Sequence, residues 1–232
     1  MAARDKEIDR LEAAYKKNLE NSGVEIYKNF AKLKGLNEIE LDNQKVIKAK
    51  HILLATGGKP NKPDFCGVHL TKSSDDIFMM NDLPKKIVIY GAGYIACEFA
   101  SIFKGLGADV TLVYRGEFLL RGFDHDVQSL VKQGLEGKGI KVLLKSQIES
   151  VTKDSEGLTV ALDDKRQLIT DEVICATGRT PNIENLGLEK LGINLKKGAV
   201  LVDEYQKTNI SNVYAIGDVT DRLNLTPVAI RD

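Results

Sequence analysis

The longest regular pattern of apolar and polar positions runs from Lys85 to Arg115, where an apolar strand, a glycine turn, an amphipathic helix and a second apolar strand follow one another. It continues with a helix near Asp126–Lys138, a strand at Ile140–Leu144, a hairpin within a small β-meander, and a strand at Glu172–Ala176. Apolar strands that alternate with helices are typical of a parallel sheet with helices on its faces. The sequence therefore predicts an α/β fold with a Rossmann-like nucleotide-binding domain.

The segments on either side follow other patterns. Between Arg4 and Asn21 apolar residues recur every three or four positions, which predicts a helix whose apolar face comprises Ile8, Leu11, Tyr15 and Leu19. Val24–Leu54 alternates short apolar runs with polar turns, as in a β-meander, and leads into a strand at His51–Thr56. Residues Lys59–Pro63 are rich in proline, lack periodicity and are predicted to be a linker.

Beyond Arg179 the pattern is irregular until a strand at Val213–Ile216, after which a helix begins near Thr226. We therefore divide the chain into a first flanking segment at residues 1–62, a nucleotide-binding domain at 63–180 and a second flanking segment at 181–232. The helix at the end is barely begun when the sequence stops, so we expect an excised piece of a longer protein.

Charge and composition exclude several classes of function. Lys plus Arg and Asp plus Glu both number 33, so the formal net charge is zero, which gives no global reason to expect nucleic acid or an acidic membrane as partner. The apolar runs are far shorter than the roughly 20 residues that span a bilayer. The charged start differs from a secretory signal, so we expect a cytoplasmic protein. Three widely spaced cysteines are expected to be reduced, and no metal site is predicted.

The glycine turn carries the clearest chemistry. Gly91 can make the tight turn after the first strand, and Gly93 can let a pyrophosphate approach the backbone. The helix that begins at Tyr94 and Ile95 then offers free N–H groups and a positive potential to phosphate. Because strand, glycines, helix and second strand occur in the right order, the sequence predicts a dinucleotide site.

The end of the second strand indicates which dinucleotide is bound. A unit that prefers NAD usually places Asp or Glu there, where the carboxylate binds the ribose hydroxyls and repels a 2′-phosphate. This chain has Arg115 instead, and Arg121 follows across a loop that contains Gly116. Guanidinium groups suit a phosphate, so the pair favours NADPH over NADH.

The segments Gly91–Glu98 and Arg115–Asp124 resemble the pyridine nucleotide-disulfide oxidoreductase family, and within it the members that reduce glutathione disulfide with NADPH. The similarity extends over nearly the whole chain. It implies that Tyr94 is the gate over the nicotinamide pocket and that Glu98 lies near the carboxamide. Gly178 and Arg179 resemble a second strand-ending turn, at which the arginine lies near the nicotinamide-side phosphates.

The same resemblance implies FAD as a second cofactor and identifies residues 1–62 and 181–232 as partial segments of the FAD-type domain. Thr56 and Gly57 match a flavin-side strand end, and Asp218 matches the residue that binds the ribityl chain. Thr226 is a plausible N-cap followed by Pro227, so that the helix would direct its positive end at the flavin ring.

The family's redox cysteine pair, first FAD turn and C-terminal His-Glu pair do not occur in these residues, so we expect no catalytic residue and no disulfide reductase activity in this chain. The longer protein would be a homodimer that passes electrons from NADPH through FAD and the cysteine pair to glutathione disulfide. Two alternatives stay open: a relative acting on mercuric ion, trypanothione or dihydrolipoamide, and an NADP-binding module without redox chemistry.

Overall fold

A computed structural model describes residues 1–155 and 157–232. They form two compact units, one made of Met1 and Pro60–Gly178, the other of Ala2–Lys59 and Arg179–Asp232. The sequence division places its boundaries after residues 62 and 180, whereas the contacts change after residues 59 and 178. Which cofactor each unit serves stays a prediction at this point.

The described residues contain α-helices, 3₁₀ helices and β-strands. The α-helices are α1 (Ala2–Asn21), α2 (Ser74–Ile77), α3 (Tyr94–Gly105), α4 (His125–Gly137) and α5 (Thr226–Arg231), and the 3₁₀ helices are Val68–Leu70, Glu189–Leu191 and Gly217–Thr220. The strands are β1 (Ala31–Gly35), β2 (Glu38–Leu41), β3 (Val46–Lys48), β4 (Ile52–Leu54), β5 (Gly58–Pro60), β6 (Lys86–Tyr90), β7 (Asp109–Val113), β8 (Lys141–Leu143), β9 (Ile148–Asp154), β10 (Gly157–Leu162), β11 (Gln167–Thr170), β12 (Glu172–Cys175), β13 (Arg179–Pro181), β14 (Leu195–Lys196), β15 (Ala199–Val200) and β16 (Val213–Ala215).

A four-stranded parallel sheet forms the centre of the Pro60–Gly178 unit. Its strand order is β12-β6-β7-β8, and the register aligns Tyr90 with Val113 on one side and with Cys175 on the other. Helix α3 joins β6 to β7, and α4 precedes β8. The predicted α/β fold with a parallel sheet is confirmed. The carboxyl ends of the three aligned strands lie side by side, which is where open α/β sheets bind ligands.

Alternate side chains of β6 pack into two different cores, as the period of a strand requires. Ile87 and Ile89 belong to a core with helices α3 and α4, whereas Val88 and Tyr90 belong to a core with the antiparallel meander β9–β11. Because both faces are covered, the strand reads as a continuous apolar run rather than an alternating one.

The other unit combines several smaller sheets. The antiparallel meander β1–β3, the parallel pair β4 and β16, the pair β5 and β13, and the hairpin β14–β15 surround a core that includes Leu54, Val213 and Ala215. Helix α1 forms where the sequence predicts it, yet none of its side chains is buried among the described residues. Its apolar stripe therefore contributes to none of the three cores.

Three sequence predictions need correction. The linker predicted from Lys59 contains strand residues, because Gly58–Pro60 pairs with Arg179–Pro181. The segment after Arg179 is not irregular throughout, since it includes β13, β14 and β15, which are too short to give a periodic signal. Thr226 is the first residue of α5 rather than its N-cap. The extended residue before it, Leu225 (φ −131°, ψ 135°), caps the helix without a side-chain hydrogen bond.

Candidate functional site

The turn between β6 and α3 has a backbone that only glycine tolerates at its first position. Gly91 has a φ of +140°, and a Cβ there would lie 2.2 Å from the carbonyl oxygen of Ala176. The N–H of Gly91 donates a 3.0 Å hydrogen bond to the carbonyl oxygen of Val113. The turn is thus pressed against both neighbouring strands, and a side chain would force them apart.

Gly93 differs from Gly91 in its surroundings. It is exposed, extended (φ −74°, ψ 177°), and forms the N-cap of α3. A Cβ at this position would meet no protein atom within 4 Å. The N-terminus of the 12-residue helix α3 therefore adjoins open space at Gly93, which suits the approach of a phosphate. This geometry fits a dinucleotide pyrophosphate.

The loop after β7 is fixed against the glycine turn. The N–H of Leu120 donates a 2.7 Å hydrogen bond to the carbonyl oxygen of Ala92, and Leu119 and Leu120 are both buried. A Cβ on Gly116 would lie 2.4 Å from Cε1 of Tyr114, so the glycine lets the loop fold onto that ring. The two buried leucines therefore anchor the loop.

Arg115 and Arg121 stand at the two ends of this loop, and both are exposed. Neither guanidinium forms an ion pair or a side-chain hydrogen bond within residues 1–155 and 157–232. Two exposed cations without an ion-pair partner among the described residues have the chemistry that suits a phosphate, and their role stays a prediction.

Tyr94 and Glu98 occupy one face of α3, since residues four apart on a helix are neighbours. Tyr94 is 39% exposed, Glu98 is exposed and Ile95 is half-buried. All three residues thus lie on helix α3, which begins at the glycine turn. Their roles toward a nicotinamide stay predictions.

The residues that the resemblance assigns to the flavin side lie in the other unit, and two of them begin a second cluster. The hydroxyl of Thr56 donates a 2.8 Å hydrogen bond to the carbonyl oxygen of Asn182, and the N–H of Asn182 donates a 2.9 Å bond to that of Gly57. Asn182 lies in the segment quoted for the resemblance, but no role was assigned to it from the sequence. It holds the end of β4 to the chain after β13.

Arg179 belongs to this second cluster. Its guanidinium donates a hydrogen bond to the carbonyl oxygen of Gly58, and its Nε lies 3.9 Å from a carboxylate oxygen of Asp218. Gly178, just before it, has a φ of +121° and open space around its Cβ position, which agrees with the predicted tight turn. Thr226 is exposed at the start of α5. The same helix lies close to Gly217, because a Cβ on Gly217 would lie 3.2 Å from Cβ of Ala229.

All three cysteines are free thiols in the structure. Cys97 and Cys175 are buried, and burial raises the pKa of Cys97 to about 11 and raises the pKa of Cys175 as well. Cys66 is exposed.

The described residues contain no group of three or more His, Cys, Asp or Glu side chains placed to hold a metal ion. None of the described helices is long and apolar enough to cross a membrane.

The sequence profile of the family described as pyridine nucleotide-disulphide oxidoreductase matches residues 1–232. The chain belongs to the pyridine nucleotide-disulphide oxidoreductase family. The resemblance stated from the sequence is thereby confirmed. The glycine turn, the loop between Arg115 and Arg121 and the second cluster are features of a family member.

Curated relatives are named glutathione reductases. That of Burkholderia cepacia is 43% identical over 233 residues, which cover 100% of this chain and 52% of the relative. The chloroplastic/mitochondrial protein of Pisum sativum is 38% identical, over 100% of this chain and 42% of the relative. The chain spans about half the length of the curated relatives it matches.

A solved structure has the same fold as this family member. The HOCl-induced flavoprotein disulfide reductase RclA from Escherichia coli matches with a TM-score of 0.91 and 25% sequence identity, over 99% of this chain and 55% of that one. The Cu(II) complex of the same protein matches with a TM-score of 0.91 and 26% sequence identity, over 100% of this chain and 55% of that one. The arrangement of strands and helices is therefore that of flavoprotein disulfide reductases.

Proposed function

We propose that the Pro60–Gly178 unit binds NADPH. The pyrophosphate would lie on the N-terminus of α3 beside Gly91 and Gly93, and the 2′-phosphate between Arg115 and Arg121. Tyr94, Ile95, Glu98 and Gly178 line the approach in this proposal, and Arg179 follows at the boundary of the unit. This chain's residues bind and orient the dinucleotide, which supplies a hydride when it is bound.

One observation carries the proposal. The hydrogen bond from Leu120 to Ala92 fixes the loop that bears both arginines to the glycine turn. In a Rossmann unit the pyrophosphate lies at such a glycine turn, and the adenosine ribose lies at the end of the following strand. The two exposed, unneutralised guanidinium groups therefore lie on the element that should meet the 2′ position, where an NAD-binding unit has a carboxylate.

Calorimetric titration of the chain with NADPH and with NADH tests this, because the 2′-phosphate is the only difference between the ligands. Arg115→Ala with Arg121→Ala should lower NADPH affinity by about ten-fold or more and leave NADH affinity unchanged. Lys85→Ala with Lys86→Ala is the matched control, since it removes two cations at the opposite, amino end of β6. Equal binding of both nucleotides by the unaltered chain would reject the proposal.

We further propose that the longer protein is a flavin-dependent enzyme that passes electrons from NADPH through FAD to glutathione disulfide. The names of the curated relatives support the substrate, and the flavoprotein neighbours support FAD. The cluster of Thr56, Gly57 and Asp218 is where FAD would bind, with Thr226 nearby at the start of α5. A homodimer and a cytoplasmic location remain part of the proposal.

A chimaera provides the test of the parent activity. Residues 1–232 would replace the matching segment of the Burkholderia cepacia relative, which aligns with the whole of this chain. We expect the chimaera to reduce glutathione disulfide with NADPH, and to lose NADPH preference when Arg115 and Arg121 are changed to Ala. A chimaera that folds, binds FAD and yet prefers NADH would contradict the assignment. A module without redox chemistry would not support turnover at all.

A further inference from the structure

Main-chain hydrogen bonds join the turn after β8 to the end of β7 and to the loop between Arg115 and Arg121. The N–H of Lys145 donates to the carbonyl oxygen of Gly116 over 3.0 Å, and the N–H of Ser146 donates to that of Tyr114 over 3.0 Å. Lys145 has a φ of +52°, in the left-handed region that lysine seldom adopts. The turn therefore holds a lysine beside the loop at some conformational cost.

The side chain of Lys145 forms an ion pair with the loop itself. Its Nζ lies 2.7 Å from Oε1 of Glu117, and the two side chains are 67% and 58% exposed. An ion pair this exposed contributes little to folding, at most about 1 kcal/mol. Stability is therefore a weak reason for the pair.

The position of Glu117 suggests another reason. Glu117 lies in the loop between Arg115 and Arg121, so its carboxylate stands on the element that is proposed to receive a phosphate. Charges act on one another within a Debye length of about 8–10 Å at ordinary salt. An unpaired carboxylate here would oppose the 2′-phosphate, in the same way that the strand-end acid of an NAD-binding unit does.

We propose that Lys145 determines nucleotide specificity as a positioning residue: by pairing with Glu117 it keeps that carboxylate from opposing the 2′-phosphate of NADPH. The proposal rests on the proposed NADPH function and adds a residue from a different strand turn to it. Lys145 acts through Glu117 and leaves binding of the phosphate itself to the two arginines.

A double-mutant cycle tests this with 2′,5′-ADP and 5′-AMP as probes, which differ only in the 2′-phosphate. Lys145→Asn removes the charge and keeps the backbone, since asparagine tolerates positive φ. It should lower affinity for 2′,5′-ADP by about three-fold or more at low salt, less at high salt, and leave 5′-AMP unchanged. Lys145→Arg should retain the affinity for 2′,5′-ADP. Lys141→Asn, at the amino end of β8, is the matched control.

Glu117→Gln completes the cycle. It should maintain or raise affinity for 2′,5′-ADP, and Lys145→Asn should have no effect in the Glu117→Gln background. A loss from Lys145→Asn that is the same with and without Glu117 would show that the lysine contacts the phosphate directly, which overturns the inference. So would an unchanged affinity in Lys145→Asn, or a loss that is independent of salt.

The proposed function and this inference fail in different ways. A chain that binds 2′,5′-ADP no better than 5′-AMP refutes the NADPH site and the role of Lys145 together. A chain that discriminates between the probes, loses the discrimination in Arg115→Ala, and keeps it in Lys145→Asn refutes the inference alone.

Discussion

Leu120 donates its backbone N–H to the carbonyl oxygen of Ala92 over 2.7 Å, in a left-handed conformation with a φ of 53°. The bond joins two segments that come from different strand ends of the parallel sheet. Because the Leu120 side chain is buried, the loop is held by packing as well as by the hydrogen bond. Arg121, the next residue, is thereby placed relative to the glycine turn.

Replacing Leu120 tests this connection. Leu120→Pro removes the N–H and cannot adopt a positive φ, so the loop must move. Leu120→Gly loses the same side chain but keeps both the N–H and the conformation. We expect NADPH affinity in the proline variant to be about ten-fold or more below that of the glycine variant, with a smaller change for NADH. Equal NADPH affinity in the two folded variants, measured by calorimetry, would show that the bond does not position Arg121.

Alanine substitutions at the two glycines of the turn should have different effects, one mainly on stability and the other mainly on nucleotide affinity. Gly91→Ala places a Cβ 2.2 Å from a carbonyl oxygen at a φ of +140°, so the free energy of unfolding should fall by at least about 2 kcal/mol. Gly93→Ala meets no protein atom within 4 Å and should lower the free energy of unfolding by only about 1 kcal/mol or less, because alanine is a poorer N-cap than glycine. It should nevertheless weaken binding of NADPH and NADH alike by about ten-fold, because its methyl group would occupy the space of the pyrophosphate.

Urea unfolding and calorimetry separate these outcomes, and each glycine variant serves as the control for the other. Normal nucleotide affinity in Gly93→Ala would mean that the pyrophosphate does not approach this residue. Normal stability in Gly91→Ala would mean that the turn can relax away from Ala176.

The parallel sheet was predictable because each of its strands is an apolar run bounded by turn residues. The pairing of β5 with β13 was not, since each strand has three residues and its partner is distant in sequence. The predicted cap of α5 was wrong by one residue because a local motif was misleading. Thr226 and Pro227 fit the usual N-cap and first-turn pattern, but the chain is already helical at Thr226.

In the site, local motifs predicted Gly91, Gly93 and the two arginines, because a strand end and a glycine spacing are visible in the sequence. The contacts that hold the loop were not visible. The bond between Leu120 and Ala92 joins residues from separate segments, as does the pair of Lys145 with Glu117, and neither has a local pattern. Only the fold brings such residues together.

The buried thiol of Cys97 should make stability depend on pH. Burial raises its folded-state pKa to about 11 from an ordinary value of 9.0, with a smaller contribution from Glu98. The protonated thiol is thus favoured in the folded state, and this stabilisation is present below pH 9 and is lost as the pH rises through 11. Relative to Cys97→Ala, the chain should lose about 1 kcal/mol of unfolding free energy between pH 7 and pH 10.

Urea titrations of both proteins at the two pH values measure that difference, and the subtraction cancels groups that titrate in both. A difference that does not change with pH would mean that Cys97 ionises as easily in the folded chain as in the unfolded one. Cys175 provides a second case with the same sign, since burial is also the largest cause of its raised pKa.

The chain by itself should not reduce glutathione disulfide. The redox pair that the family resemblance implies is a Cys-x-x-x-x-Cys segment, which this sequence lacks, and two of its three cysteines are buried. We expect NADPH consumption with glutathione disulfide at the background rate, with or without added FAD. Turnover that disappears in Cys66→Ser would contradict this and would make the exposed thiol catalytic.

The same chain should purify without stoichiometric flavin. Gly57 leads into strand β5, and Gly217 begins a 3₁₀ helix of four residues, so neither turn leads directly into a long helix that could receive a pyrophosphate, as α3 is proposed to do. Thr56 and Asp218 can accept or donate single hydrogen bonds to a ribityl chain, which is too little for tight binding. Yellow protein with one FAD per chain, seen in the absorption spectrum, would show that this cluster binds the cofactor unaided.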